Sequence, residues 1–147
     1  MSLKERPILA IEDNDQDFDV LEMCLKNAGV VNPLHRCASG EDVRNHLERM
    51  EETPVSDLPA FVFLDLNLPG TRGSEVLKWL KKHKTMSPIP VVVLATSTQV
   101  RDVDLSYSLG AAGFLTKPLD LDKFEKMIQQ VANYWFSCVK LPDRGAI

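Results

Sequence analysis

The stretch Phe61-Val62-Phe63-Leu64-Asp65-Leu66-Asn67-Leu68-Pro69-Gly70-Thr71-Arg72-Gly73 decides how the chain is read. Four apolar residues run directly into an aspartate, and a turn containing Pro and Gly follows. A short continuous apolar run bounded by turn residues suits a strand covered on both faces. Asp65 then stands at that strand's carboxyl end, which is where open parallel sheets bind ligands. A carboxylate there can hold a metal or act as a nucleophile.

Working outward, similar runs recur on either side. Pro7-Ile8-Leu9-Ala10-Ile11 reads as a strand ending in Glu12-Asp13, and Pro33-Leu34-His35-Arg36-Cys37 as a weaker one. Val91-Val92-Val93-Leu94-Ala95 is the most β-prone run, and Phe114-Leu115-Thr116, entered by a turn between Gly110 and Gly113, is followed at once by Lys117-Pro118. Helical spacing fills the gaps. Phe18, Leu21, Leu25 and Ala28 mark a first helix, capped by Asn14 or Asp15 and stopped by Gly29. Val43, Leu47 and Met50 mark a second opened by Ser39-Gly40, and Val76, Leu77 and Leu80 a third, capped by Ser74. Val100, Val103 and Tyr107 mark a fourth. Phe124, Ile128, Val131 and Trp135 line a fifth that runs from about Asp120 to about Ser137. Five strands alternating with five helices predict an α/β fold with a parallel sheet and helices on both faces.

At 147 residues the chain is expected to be a single domain over 1-147, with a core over about 7-136 and an extension over 137-147. The net charge is -4 with both signs spread along the sequence, and no basic stripe marks a nucleic-acid surface. Apolar runs such as Val91–Ala95 are too short to span a bilayer. The polar start lacks a secretory signal, and Cys24, Cys37 and Cys138 show no paired spacing. These features predict a cytoplasmic protein with free thiols. His35, His46 and His83 stand apart and read as surface or packing residues.

The chemistry lies in three strand ends: Glu12-Asp13, Asp65 and Lys117. Taken alone, Glu12-Asp13 is an acidic pair at a helix N-terminus, Asp65 a turn residue, and Lys117-Pro118 a common loop dipeptide. Together, in a doubly wound sheet, they meet at one edge. Packed carboxylates repel, and a hard divalent ion such as Mg²⁺ relieves them. A carboxylate nucleophile, a metal and a lysine form a set suited to phosphoryl transfer.

In these residues, with Leu64-Asp65-Leu66-Asn67-Leu68-Pro69-Gly70 and Gly73, the chain resembles the receiver domain of two-component response regulators. That resemblance implies a flavodoxin-like fold with strand order 2-1-3-4-5. It implies that Asp65 accepts a phosphoryl group from a histidine kinase. Asp13, Asp65 and the backbone carbonyl of Asn67 would ligate Mg²⁺, with Glu12 holding a metal-bound water and Lys117 pairing with the phosphoryl group. Phe114 matches an aromatic position that turns inward on activation. One departure stands out: the family's Thr or Ser, thirty positions after the acceptor aspartate, is Ala95 here, with Thr96 and Ser97 in the next two positions.

Val31-Asn32-Pro33, Leu66-Asn67-Leu68-Pro69-Gly70-Thr71 and Tyr134-Trp135 also resemble small stand-alone receivers that partner phytochrome kinases. The competing reading is a pseudo-receiver, an interaction module independent of phosphate, which Ala95 favours. An aspartyl-phosphate phosphatase would carry an acid where Asn67 stands, and the glycine patterns of dinucleotide and P-loop enzymes are absent. Met127, Tyr134, Cys138 and Leu141 lie off the inward stripe of the last helix. They predict a homodimer through that helix and the tail, extending to the fourth helix and fifth strand.

Overall fold

The computed structural model describes residues 6–54, 57–96 and 98–142. Ser97 and residues 143–147 of the expected tail lie outside them. The strands are β1 (Ile8–Ile11), β2 (Leu34–Cys37), β3 (Val62–Asp65), β4 (Val91–Ala95) and β5 (Gly113–Thr116). The helices are α1 (Asp15–Asn27), α2 (Gly40–Met50), α3 (Gly73–Lys82), α4 (Val100–Ser108) and α5 (Leu121–Asn133). All strand pairs are parallel, and the order is β2-β1-β3-β4-β5, as expected.

Strand alternation divides the apolar runs between two layers. Leu9, Ile11, Val62, Leu64, Val91 and Val93 face α2 and α3, meeting Val43, Leu47, Val76, Leu77 and Leu80. Ile8, Ala10, Phe61, Phe63, Val92 and Leu94 face α1 and α5, meeting Leu21, Leu25, Ile128 and Ala132. The central strands are apolar up to their carboxyl ends, where β3 carries Asp65, because both of their faces are covered.

The helix starts follow side-chain chemistry in three places, one of them α5, where Asp120 Oδ1 accepts from the Asp122 N–H at 2.8 Å. Asn14 Oδ1 accepts from the Asp17 N–H at 2.9 Å, and Ser39 Oγ accepts from the Asp42 N–H at 3.1 Å. At α3 the expected Ser74 cap does not form: the N-cap residue is Arg72, without a side-chain cap bond. A close approach sets this start instead. A Cβ at Gly73 would lie 2.6 Å from Leu66 Cα and O, and the Gly73 N–H donates to Leu66 O at 3.2 Å. Gly113 belongs to β5 and does not bracket its entry turn.

Two further expectations are corrected. The apolar positions of α4 do not all point inward. Val100 is 72% exposed and Tyr107 51% exposed, and Ser106 is the residue that α4 buries. This short helix lies over the sheet edge at β5, so one side of it is left open. Tyr107 reaches the edge strand with its hydroxyl, which accepts from the Phe114 N–H at 3.2 Å. The last helix is α-helical only to Asn133; Tyr134–Cys138 forms a π-helical turn. The wider turn lets consecutive residues Trp135 and Phe136 both pack on Phe61, at centroid distances of 6.0 and 5.4 Å.

The tail then folds back. Leu141 is buried and Met127 packs against the same core layer, so neither is the free apolar group expected from the sequence; Tyr134 and Cys138 remain exposed. Arg6, itself buried, fixes this end of the molecule. Its guanidinium donates to the carbonyls of Leu58 at 2.9 Å, Pro59 at 2.7 Å and Pro142 at 2.7 Å. His83 is a packing residue, as expected: its Nδ1 accepts from the N–H of Met86 at 3.2 Å and its Nε2 bonds Leu47 O at 2.8 Å.

Candidate phosphoacceptor and metal site

The carboxyl ends of β1, β3 and β5 bring the expected residues together. Lys117 Nζ lies 3.2 Å from Glu12 Oε1 and 3.2 Å from Asp65 Oδ2. Carboxylate oxygens of Glu12, Asp13 and Asp65 all lie within 4.8 Å of one another, the one such acidic, His or Cys group of three among the described residues. Glu12 and Asp65 are buried, whereas Asp13 sits at the open side.

Backbone bonds hold the arms of the site. The Asn67 N–H donates to Asp65 Oδ1 at 2.9 Å, which orients the carboxylate. The Lys117 N–H donates to Ala95 O at 2.7 Å, pinning the end of β5 to β4. Ala95 is fully buried and brings no hydroxyl, while Thr96 is exposed, with Oγ1 accepting from Asn67 Nδ2 at 3.1 Å. Phe114 is partly buried against the α3 side of the core, on β5, and β4 lies between it and the strand that carries Asp65.

Two contributors were missed in the sequence. Arg36 donates from Nε to Glu12 O at 2.9 Å and from Nη2 to Asp13 O at 3.0 Å, and pairs with Asp15 at 2.7 Å. It braces the acidic loop from β2, where Ala10 and Arg36 are paired across the sheet. Asp17, in the first turn of α1, brings Oδ2 to 3.8 Å from Lys117 Nζ. The available signal for Asp17 was its place three residues after the cap Asn14, which aims it at the same strand ends.

The electrostatics follow from this crowding. Burial, then the hydrogen bond and charge of Asp65, push Glu12 up to about 8, against the opposing pull of Lys117. Burial would raise Asp65 too, but its bonds with Glu12 and the Asn67 N–H, together with Lys117, hold it below its ordinary value. Burial alone would lower Lys117, and the carboxylates of Asp65 and Glu12 outweigh that and raise it. The two buried carboxylates titrate as a coupled pair, in which Glu12 is the member pushed up and Asp65 the member held down. Glu12 Oε2 is buried with no donor facing it among the described residues. An oxygen-only donor set, an orphaned buried oxygen and an excess of negative charge fit a hard divalent cation.

Cys24 and Cys37 are buried and Cys138 exposed, all as free thiols. No helix among the described residues is long and apolar enough to cross a membrane.

The comparisons agree with this geometry. Response regulator Rcp1 of Synechocystis sp. is 36% identical over 135 residues, covering 92% of each chain. The phosphorylated cyanobacterial phytochrome response regulator RcpA superposes with a TM-score of 0.85 at 31% identity, covering 95% of this chain and 99% of that one. The Mn²⁺-bound form of Rcp1 superposes with a TM-score of 0.83 at 34% identity, covering 94% of this chain and 99% of that one. The response regulator receiver domain matches residues 8–129. With the doubly wound sheet, the acidic cluster and the lysine in place, the chain belongs to the response regulator receiver domain family.

Proposed function

We propose that the chain is a phosphoacceptor switch, charged on Asp65 by a histidine kinase in the cytoplasm. The observation that carries this is the placement of Lys117 Nζ 3.2 Å from both Glu12 and Asp65, beside three carboxylates within 4.8 Å. In the transfer an ionised Asp65 oxygen attacks the phosphorus of a phosphohistidine. A P–O bond forms as the P–N bond breaks, and the imidazole nitrogen keeps the electron pair. Lys117 neutralises one phosphoryl oxygen as a point charge. Mg²⁺, held by Asp13, Asp65 and the Asn67 carbonyl with Glu12 on a bound water, would supply charge neutralisation at the transferring group. The chain catalyses only its own charging and discharge and is not otherwise an enzyme.

The likeness to a cyanobacterial phytochrome response regulator supports a light-sensing kinase as the partner. A homodimer through α5 and the tail, with α4 and β5, is supported by the open apolar groups Val100, Leu105, Tyr107, Leu121 and Tyr134. The second reading, a phosphate-independent interaction module, is favoured by Ala95 alone.

Acetyl phosphate labelling tests the function. With Mg²⁺ the chain gives one shifted species on a phosphate-affinity gel. Asp65→Asn and EDTA each abolish it. A shift that survives either change refutes the site assignment.

A further inference from the structure

The proposed reaction places a dianionic phosphoryl group on Asp65, and three of its oxygens then need donors. Lys117 supplies one cation, already shared with Glu12, Asp65 and Asp17. The β4 end beside the acceptor contributes nothing, because Ala95 has no hydroxyl. One residue further on the position changes. β4 stops at Ala95, and Thr96 occupies a bend. Strand alternation, which would turn consecutive side chains to opposite faces, no longer governs it. Alternation therefore does not turn Thr96 away from the site.

Its Oγ1 instead accepts from Asn67 Nδ2 at 3.1 Å, and Asn67 donates its own N–H to Asp65 Oδ1 at 2.9 Å. Thr96 is therefore two hydrogen bonds from the acceptor carboxylate. As an acceptor in that pair it keeps its own hydroxyl proton free to donate. A hydroxyl donating to an anionic oxygen makes a shorter and stronger bond than an amide donating to a hydroxyl.

We infer that Thr96, held on Asn67 in the uncharged protein, takes over the hydroxyl role that Ala95 cannot fill, and turns from Asn67 to the phosphoryl group when Asp65 is charged. This rests on the reading of Asp65 as phosphoacceptor. Asn67 is the positioning residue, and Thr96 makes the new contact. The consequence reaches α4, which begins at Val100, four positions after Thr96. From there the Tyr107 hydroxyl, bonded to the Phe114 N–H at 3.2 Å, carries any shift of α4 into β5.

The experiment uses the full chain with Mg²⁺ and beryllofluoride. Occupancy is read by fluorine NMR and the response at the Phe114 amide, expressed per occupied molecule. Thr96 is exposed, so Thr96→Val and Thr96→Ser should both fold. Thr96→Val is expected to reduce the switched fraction per occupied molecule about tenfold, the equivalent of 1.4 kcal/mol. Thr96→Ser is expected to restore it. A full response in Thr96→Val, or loss of beryllofluoride binding in that variant alone, overturns the inference and leaves the Asp65 reading intact. Absence of beryllofluoride binding to the unmutated chain overturns both.

Discussion

Replacing Glu12 by Gln should stabilise the metal-free protein at neutral and alkaline pH. Glu12 is buried against Asp65 and its affinity for a proton is raised from an ordinary 4.5 to about 8. Below 4.5 the group is protonated in both folded and unfolded chains and contributes nothing. Between 4.5 and 8 the unfolded chain has released the proton and the folded chain retains it, so stability falls as pH rises. Above 8 the folded site holds an unneutralised carboxylate and the full cost is felt. At about 1.36 kcal/mol per tenfold in proton affinity the upper bound is about 5 kcal/mol. The cluster opens to water on the Asp13 side, and screening there lowers the figure to about 2 kcal/mol. Asp65 shifts the other way: its contribution is present above 3.8 and is lost only as pH falls through its lowered value, outside this window.

The assay is urea unfolding in EDTA at pH 5, 6, 7 and 8, with the difference between parent and Glu12→Gln plotted against pH. Taking the difference removes other titrating groups, among them His46, whose buried ring is held below its ordinary value. The variant should overtake the parent as pH rises and lead by about 2 kcal/mol at pH 8, or roughly 4–8 °C in Tm for a chain of this size. A difference that stays flat from pH 5 to pH 8, or a variant less stable at pH 8, would refute the picture of a carboxylate cluster strained by its own charge.

Arg6→Met should cost about 3 kcal/mol or more in urea unfolding, because it strips the carbonyls of Leu58, Pro59 and Pro142 of a charged donor in a buried setting; a loss under 1 kcal/mol would mean that water replaces the guanidinium. Gly73→Ala should cost about 1–3 kcal/mol and weaken Mg²⁺ binding, since the added methyl meets the Leu66 backbone at 2.6 Å and displaces the turn that carries Asn67; unchanged metal titration would detach the two effects. Brief alkylation at pH 7.5 should modify one thiol, Cys138. Cys37 is buried and pushed up to about 11, chiefly by burial, and buried Cys24 is raised by the same cause. Mass spectrometry of native and urea-unfolded samples gives one adduct against three if this is right.

The parts of this molecule that can be read from the chain are those whose cause is local. Val62 to Leu64 and Val91 to Leu94 are strands because a doubly covered strand must be apolar at every position. Asp65 and Lys117 stand where such runs stop, and that position is itself a chemical statement. What escaped depends on contacts across long separations. Arg36 reaches the acidic loop from 24 residues away, and Arg6 reaches Pro142 from 136. Nothing near either arginine distinguishes it from a surface cation. The spacing of Val100, Val103 and Tyr107 suggested a buried face, but α4 lies at a sheet margin with little to cover it. The π-helical turn accompanies a long-range contact, Trp135 and Phe136 both on Phe61, which the spacing of Phe124, Ile128 and Val131 does not carry. The Thr96 contact with Asn67 lies one residue past the end of β4, where the two-residue period of a strand no longer applies.

The three strand ends that make the site are far apart in the chain: Lys117 lies 52 residues from Asp65 and 105 from Glu12. Ribosomal synthesis runs from the amino end, and the order of emergence therefore matters. Glu12, Asp13 and Asp65 leave the ribosome first, as a set of mutually repelling side chains whose lysine is still to come; Arg36 reaches only the Glu12 and Asp13 carbonyls. Lys117 comes later, at the end of the edge strand, and a fragment ending before it lacks the cation that the assembled site places on both Glu12 and Asp65. A kinase that tests for the assembled cluster consequently tests for a finished sheet. On the proposed function, half-made or partly unfolded copies would stay uncharged, and charging would double as an inspection of the fold.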